Sequence, residues 1–597
     1  MSGGAGATGE ACRSGPRQWT VSWILVHDDA ARPGVVVLQE CSDDGAPLGR
    51  AELPVPDLPA AVAAREADRP RWVWDDTARR YPQLLAAGVR VERAHDLRLC
   101  HAILRRSART AGSELAVAPD GPWDEPTTPV RPVRPADGVD SLFDDAFLTG
   151  SSDPARAATP PAGSDGAPRA AADPGPLAEL TRQLAAVAGS AEPGRLRLLL
   201  AAESTGALIA AEMHHDGLPW VAAEHDALLT RLLGPRQPAG RRPARLEQLV
   251  EQVRTALGQP GLNPDSQPDL LRALRSAGLD VTSTRVHELR ELVHPVTAPL
   301  LEYKKLARLL SANGWAWMEA WAADGRFRPD YVPGGVVTGR WASSGGGALQ
   351  LPKEVRAAVQ ADPGWRFVVA DAAQVEPRVL AAMSADGAMA AAGRAADLYQ
   401  GVVDAGIVET RQHAKVAMLG AIYGATTGAS AALMPQLTRA FPRAVALVED
   451  AARAGERGEV VSTWLGRSSP VPGATWQALV LAAATEGAEA DDAREARRRR
   501  RDWGRFTRNF VVQGTAAEWA LCWMAALRRR LLRMDGRPHL VFFLHDEVIV
   551  HAPEDRTDEV VDAVRAAAAE AGRLLFGRFP VDFALDVCVV ERYDEAT

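Results

Sequence analysis

The sequence predicts an α+β chain, and three observations carry that prediction. An apolar run, Phe367 to Ala370, ends in Asp371 and reads as a buried strand delivering an acid to its tip. Two more apolar runs flank His545-Asp546-Glu547 within residues 535–555 and read as a β-hairpin. Around them, residues 176–325 and 372–533 carry apolar side chains mostly at helical spacing.

With 597 residues the chain exceeds one core, so about two to four domains or subdomains are expected. The net charge is -8, from 68 basic and 76 acidic residues, so any surface for nucleic acid must be local. The cysteines at 12, 41, 100, 522 and 588 are too scattered for a zinc site or a disulfide framework, which fits a reducing cytoplasm. No apolar run reaches about 18 residues, so no membrane-spanning helix is expected. The start, Met1 to Gly6, lacks a signal-peptide pattern.

In chain order, residues 1–17 are Gly-rich and aperiodic and are expected to be disordered. Trp19 to Val26 and Gly34 to Gln39 read as strands around a turn at His27-Asp28-Asp29. A strand near Val73, a helix closed by Gly88, and an amphipathic helix Leu97 to Arg106 complete a small α/β domain over residues 18–110. Residues 111–175 are rich in Pro, Ala, Gly, Ser and Asp and read as linker, with one ordered piece at Ser141 to Phe147. From 176 the chain is helical. Tyr331 to Gln350 interrupts with six glycines around Thr338-Gly339-Arg340, a loop suited to lie along a ligand backbone. Residues 503–533 read as a helix, Glu559 to Leu575 as another, and Val581 to Val590 as the last strand.

Two constellations point to chemistry. Arg411, Lys415, Leu419 and Tyr423 are spaced four apart, so a helix presents them as one slowly drifting stripe of cation, cation, apolar and aromatic. A nucleoside triphosphate has the same order of phosphates, sugar and base. Arg forks onto phosphate oxygens, and Lys supplies a point charge nearer the reacting phosphorus. Asp371 and Asp546, on neighbouring strand tips, suit two divalent cations of the Mg²⁺ type for in-line phosphoryl displacement. No Gly-x-x-x-x-Gly-Lys-Ser/Thr occurs to suggest a P-loop ATPase. The run Arg497 to Arg501 reads as a solvated helical face.

From about 196 to 597 the chain resembles the polymerase region of the DNA polymerase I family, family A. Asp371-Ala-Ala-Gln-Val-Glu376-Pro-Arg378 resembles its first motif, Arg411 to Gly424 its fingers helix, and Leu544-His-Asp-Glu547 its Val-His-Asp-Glu turn. Pro299 to Leu309, Thr338-Gly-Arg340, Leu349 to Pro352 and Arg505 to Ala517 match in the same order. The resemblance implies a right-hand palm, fingers and thumb over residues 176–597, with the thumb near 222–325, the fingers near 385–500 and the palm elsewhere. It implies a DNA-directed DNA polymerase of replication or repair synthesis, monomeric, cytoplasmic and nucleoid-associated, acting on primer–template DNA and deoxynucleoside triphosphates, with no membrane.

Site roles follow the resemblance. Asp371, Asp546 and the carbonyl of Ala372 would hold two Mg²⁺, with Mn²⁺ an alternative. Lys415 would assist the leaving pyrophosphate. Arg411, Lys415, Leu419, Tyr423, Gln374 and Glu376 would bind nucleotide, Glu376 lying under the sugar C2′. Arg340, Thr338, Gln350, Arg505, Asn509, Gln513 and His545 would line the primer–template. Departures are Leu419 where the family has an aromatic, Tyr399 in Asp397-Leu-Tyr399 where it often has His, and Ala372-Ala373 for Tyr-Ser. Residues 18–110 loosely resemble the family's RNase H-like 3′–5′ exonuclease domain. No Asp-x-Glu occurs in residues 1–190, and spacing back from Gly88 puts Arg80 where a metal-binding Asp belongs. The domain is therefore expected to be degenerate, without proofreading and with no 5′-nuclease domain before it. A non-catalytic DNA-binding scaffold, or a polymerase with a working exonuclease, is the alternative.

Overall fold

A computed structural model describes residues 22–125, 175–238, 240–394, 397–424, 428–485 and 490–596. The expected disordered start and the piece at Ser141 to Phe147 lie outside the described residues.

The first sheet has strands β1 (Trp23–Asp28), β2 (Val35–Cys41), β3 (Pro47–Pro54), β4 (Arg71–Trp74) and β5 (Arg93–Asp96), in the order β3-β2-β1-β4-β5. β1 pairs antiparallel with β2 and parallel with β4, and β4 pairs parallel with β5. Side chains alternate across the sheet. Ile24 and Val26 pack toward Tyr81 and Leu84, whereas Leu25 and Val73 pack toward Leu97 and Leu180. Asp76 caps the helix Thr77–Ala86 by accepting from Ala78 N at 2.8 Å. Asp96 caps Leu97–Arg106 by accepting from Leu99 N at 3.0 Å.

Arg80 is 3 % exposed and sits at the strand tips, where its Nη2 lies 2.6 Å from the Asp28 carboxylate. Arg79 lies 3.1 Å from Asp28 and 2.5 Å from Asp75. Burial pushes the Asp28 carboxyl up, but these two guanidiniums outweigh it and hold it below its usual value.

The second sheet holds β6 (Trp365–Ala372), β7 (His539–Leu544), β8 (Glu547–Pro553) and β9 (Leu585–Val590), antiparallel throughout, in the order β7-β8-β6-β9. Helix Thr557–Phe576 contacts its strands, and helix Ala490–Leu531 packs against that helix. This long helix has 42 residues and starts earlier than the sequence predicts. Its arginine-rich first turns offer only alanines as apolar residues and are laced by Glu495 to Arg498 at 2.7 Å and to Arg499 at 2.8 Å. It is the one described helix long and apolar enough to cross a membrane, and 94 % of its apolar window is buried inside the fold.

A buried ionic knot ties the first domain to the long helix. Arg528 on the long helix donates to Glu212 at 2.7 and 2.8 Å and to the Val91 carbonyl at 2.7 Å, and Tyr81 donates to Glu212 at 2.5 Å. Replacing Arg528 by Met should leave the buried Glu212 with only Arg90 at 3.5 Å and the Tyr81 hydroxyl as partners. We expect a loss of about 3–5 kcal/mol, read as a fall in the chain's melting temperature.

Candidate active site

β6 lies centrally, and its tip meets the β7–β8 turn. Asp371 stands opposite Glu547 of β8 on one side and Asp586 of β9 on the other. Ala372 N donates to the Asp546 carbonyl at 2.9 Å, which fixes the turn against the strand end. The turn has two residues, His545 and Asp546, between the paired Leu544 and Glu547. His545 adopts φ +58°, a left-handed conformation usually given to Gly, so the turn accepts strain to place Asp546.

Neither Asp371 nor Asp546 forms an ion pair among the described residues. Burial and then Asp586 raise the Asp371 carboxyl. Burial pushes Asp546 up to about 7; Glu376 and Asp371 add to the rise, and Arg340 opposes it. Two acids raised by burial and by neighbouring carboxylates, with no direct ion pair among the described residues, fit an oxygen-ligated divalent ion. No group of three or more His, Cys, Asp or Glu converges for a metal among the described residues, so water and substrate oxygens would have to complete the shell.

Glu376 begins the helix Val375–Ser384 and is 9 % exposed. Its Oε1 accepts from Arg340 at 2.5 Å and its Oε2 from the Tyr423 hydroxyl at 2.7 Å. Burial, then Glu376, pushes the Tyr423 phenol well above its usual value. Arg378, in the same motif, is fully buried and donates to the carbonyls of Ala373, Gly393 and Asp582 at 2.9, 2.5 and 2.7 Å, which makes it a structural clamp.

Tyr423 closes the helix Arg411–Tyr423, which Thr410 caps and Gly424 ends at φ +68°. Ala414, Ala417, Met418, Ala421 and Ile422 bury one face against Leu398, Tyr399 and Phe441. That leaves Arg411 exposed and Lys415 and Leu419 half-buried on the opposite stripe. Lys415 has no ion pair among the described residues. Arg411 is held by Asp397 at 2.5 Å and lies 5.7 Å over the Tyr399 ring. Gln374 adopts φ +52° and turns to Asp397, donating to its carboxylate at 3.1 Å and accepting from Leu398 N at 2.8 Å.

The remaining predicted residues come from the Thr338 loop, the long helix, the turn at Ala348–Gln350 and the β7–β8 turn. Gly339 takes φ +89°, and a Cβ there would come within 2.5 Å of Arg467, which pairs with Glu203 at 2.7 Å. Thr338 from that loop, and Asn509 and Gln513 from the long helix, are buried. Their Oγ1, Oδ1 and Nε2 atoms have no hydrogen-bond partner among the described residues. Arg505 is half-buried, and Gln350 and His545 are exposed. Sequence reasoning missed Asp586 and the Arg467–Glu203 support. A lone acid in a strand and an arginine in a loop give no signal until strand pairing and loop packing are known.

Comparison with known proteins places this arrangement. A family profile described as DNA polymerase family A matches residues 241–590. The chain is 29 % identical over 335 residues to DNA polymerase I of Chloroflexus aurantiacus, covering 52 % of this chain and 33 % of that protein. It is 26 % identical over 428 residues to the thermostable DNA polymerase I of Thermus thermophilus, covering 62 % and 48 %. Thus it spans a third to a half of these relatives. Among solved structures, the POL domain of Pol1 from M. smegmatis in complex with DNA primer-template and dNTP superposes with TM-score 0.60 at 18 % identity, covering 94 % of this chain and 93 % of that one. The shared architecture is the α+β polymerase fold.

Proposed function

This chain belongs to DNA polymerase family A, and from that premise we propose that it adds deoxynucleotides to a primer 3′ end under the direction of a template. Family A enzymes are metal-dependent nucleotidyltransferases. For this chain we read two Mg²⁺, with Mn²⁺ an alternative, held by Asp371, Asp546 and the Ala372 carbonyl. The observation that carries the reading is the unpaired carboxylate couple at touching strand tips, linked through Arg340 and Glu376 to Tyr423 on the cationic helix.

Bound cations would activate the primer hydroxyl and neutralise charge on the reacting phosphates. The chain's own part is positioning. Arg411 forks onto terminal phosphate oxygens, and Lys415 holds charge and a proton for the departing pyrophosphate. Glu376, fixed from both sides, lies beneath the sugar. Leu419 gives an apolar but unstacked contact in place of a ring. Thr338, Gln350, Arg340, Arg505, Asn509, Gln513 and His545 meet the primer–template, where minor-groove acceptors common to all base pairs take hydrogen bonds from donors such as Gln513 Nε2 without reading sequence. Closing of helix Arg411–Tyr423 over the nucleotide gates the step.

We assign residues 222–325 to the thumb, about 385–500 to the fingers and the rest of 176–597 to the palm. Residues 18–110 serve as scaffold without proofreading, because Arg80 and Arg79 already neutralise the acids at the first sheet's tips. Primer extension with four deoxynucleotides and Mg²⁺ tests the proposal. Extension without degradation of a labelled single strand is expected. No extension by folded, DNA-binding chain, with Mn²⁺ also supplied, would leave a non-catalytic scaffold.

A further inference from the structure

Arg411 and Lys415 stand four residues apart on one stripe, yet they are treated differently. Lys415 has no ion pair among the described residues, whereas Arg411 is already engaged. Its partner, Asp397, uses its two oxygens for separate tasks. Oδ1 caps the helix Leu398–Asp404, accepting from Tyr399 N at 2.9 Å and Gln400 N at 3.2 Å, and takes the Gln374 amide at 3.1 Å. Oδ2 accepts from Arg411 Nε at 2.5 Å. Arg411 can therefore leave without loosening the cap or the link to the loop after Asp371. The pair is also placed where a ligand can compete, since the Arg411 side chain is 53 % exposed and that of Asp397 33 %. The Tyr399 ring, almost fully buried, gives the guanidinium a fixed floor on the Asp397 side.

We propose that Asp397 is an exchangeable counter-ion for Arg411: it holds the guanidinium against helix Leu398–Asp404 until the terminal phosphate of an incoming nucleoside triphosphate takes its place. The proposal rests on the polymerase reading of the same site and adds a specificity device to it. A ligand must bring enough negative charge to displace a carboxylate, so triphosphate affinity is set by competition. The exchange also frees the N-terminal end of helix Arg411–Tyr423 from its neighbour as the nucleotide enters.

Asp397→Asn removes the charge together with the Oδ2 acceptor that holds Arg411, while Asn keeps the Oδ1 acceptor and caps a helix as well as Asp does. The measurement is equilibrium binding of a deoxynucleoside triphosphate, with Mg²⁺, to the full chain on a primer–template ended by a dideoxynucleotide. Asp397→Asn should lower the dissociation constant about two- to fivefold, the scale of an exposed ion pair. Arg411→Ala should raise it, and in that background Asp397→Asn should do nothing. Asp397→Ser, which also caps, repeats the test should the Asn variant misfold. An unchanged or raised dissociation constant in Asp397→Asn overturns the exchange, as does an equal effect with and without Arg411. Wild-type chain that binds primer–template but no triphosphate would instead overturn the polymerase reading, and the exchange with it.

Discussion

Asp371→Asn and Asp546→Asn should each reduce primer extension by at least about 10³-fold, equivalent to roughly 4 kcal/mol of lost transition-state stabilisation. Both acids lie at the meeting of β6 with the β7–β8 turn and form no ion pair among the described residues, with Arg340 offsetting only part of the charge at Asp546. Their charge is therefore only partly compensated until a ligand supplies the rest. An amide keeps the shape but carries no charge for a divalent ion, so both variants should fold and bind DNA while failing to extend. Single-turnover extension beside DNA binding separates those effects. Extension by Asp371→Asn within tenfold of wild type would remove Asp371 from the reaction.

The same charge placement gives a pH signature in metal-free chain. Asp546 is pushed up to about 7, chiefly by burial, whereas an ordinary Asp carboxyl releases its proton near 3.8. Between those pH values the folded chain holds a proton that the unfolded chain has lost. Its stability therefore falls as pH rises through that window. In chelator, the melting temperature should drop between pH 4 and 7 by a component that Asp546→Asn lacks. Saturating Mg²⁺ should remove most of it, because an adjacent cation favours the ionised form.

How much of this was legible in the sequence depends on how local each feature is. Helix Leu97–Arg106 and the carboxylate before it were readable to the residue, because cap and periodicity lie within one window. The Asp371 strand and the His545-Asp546 turn were readable as elements, but only strand pairing reveals that Glu547 and Asp586 flank Asp371. β3 escaped because it is an edge strand, Pro47–Pro54, with no fully buried residue to mark an alternation. The early start of the long helix escaped because its first turns are held by Glu–Arg ladders and not by an apolar stripe. The Gln374 amide reaches Asp397, a partner 23 residues away that no local pattern announces.

Glu376→Ala should open the site to ribonucleotides, lowering discrimination against them about 10- to 100-fold. Glu376 is nearly buried and cannot swing aside, because Arg340 grips one oxygen and the Tyr423 hydroxyl the other. A sugar seated above it meets a wall held from two elements, and an added 2′-hydroxyl has to displace that wall. Truncation to Ala removes the wall. Tyr423→Phe removes one of its two supports, so discrimination should fall by only a few-fold. The comparison is kcat/KM for a ribonucleotide against its deoxy counterpart in each chain. Glu376→Ala also leaves Arg340 without its carboxylate and beside Asp546, whose carboxyl should then titrate lower, since Glu376 raises it and Arg340 lowers it. Deoxynucleotide incorporation by Glu376→Ala should accordingly keep its rate to lower pH than wild type. Discrimination that falls equally in Glu376→Ala and Tyr423→Phe would mean that the phenol, and not the carboxylate it holds, meets the sugar.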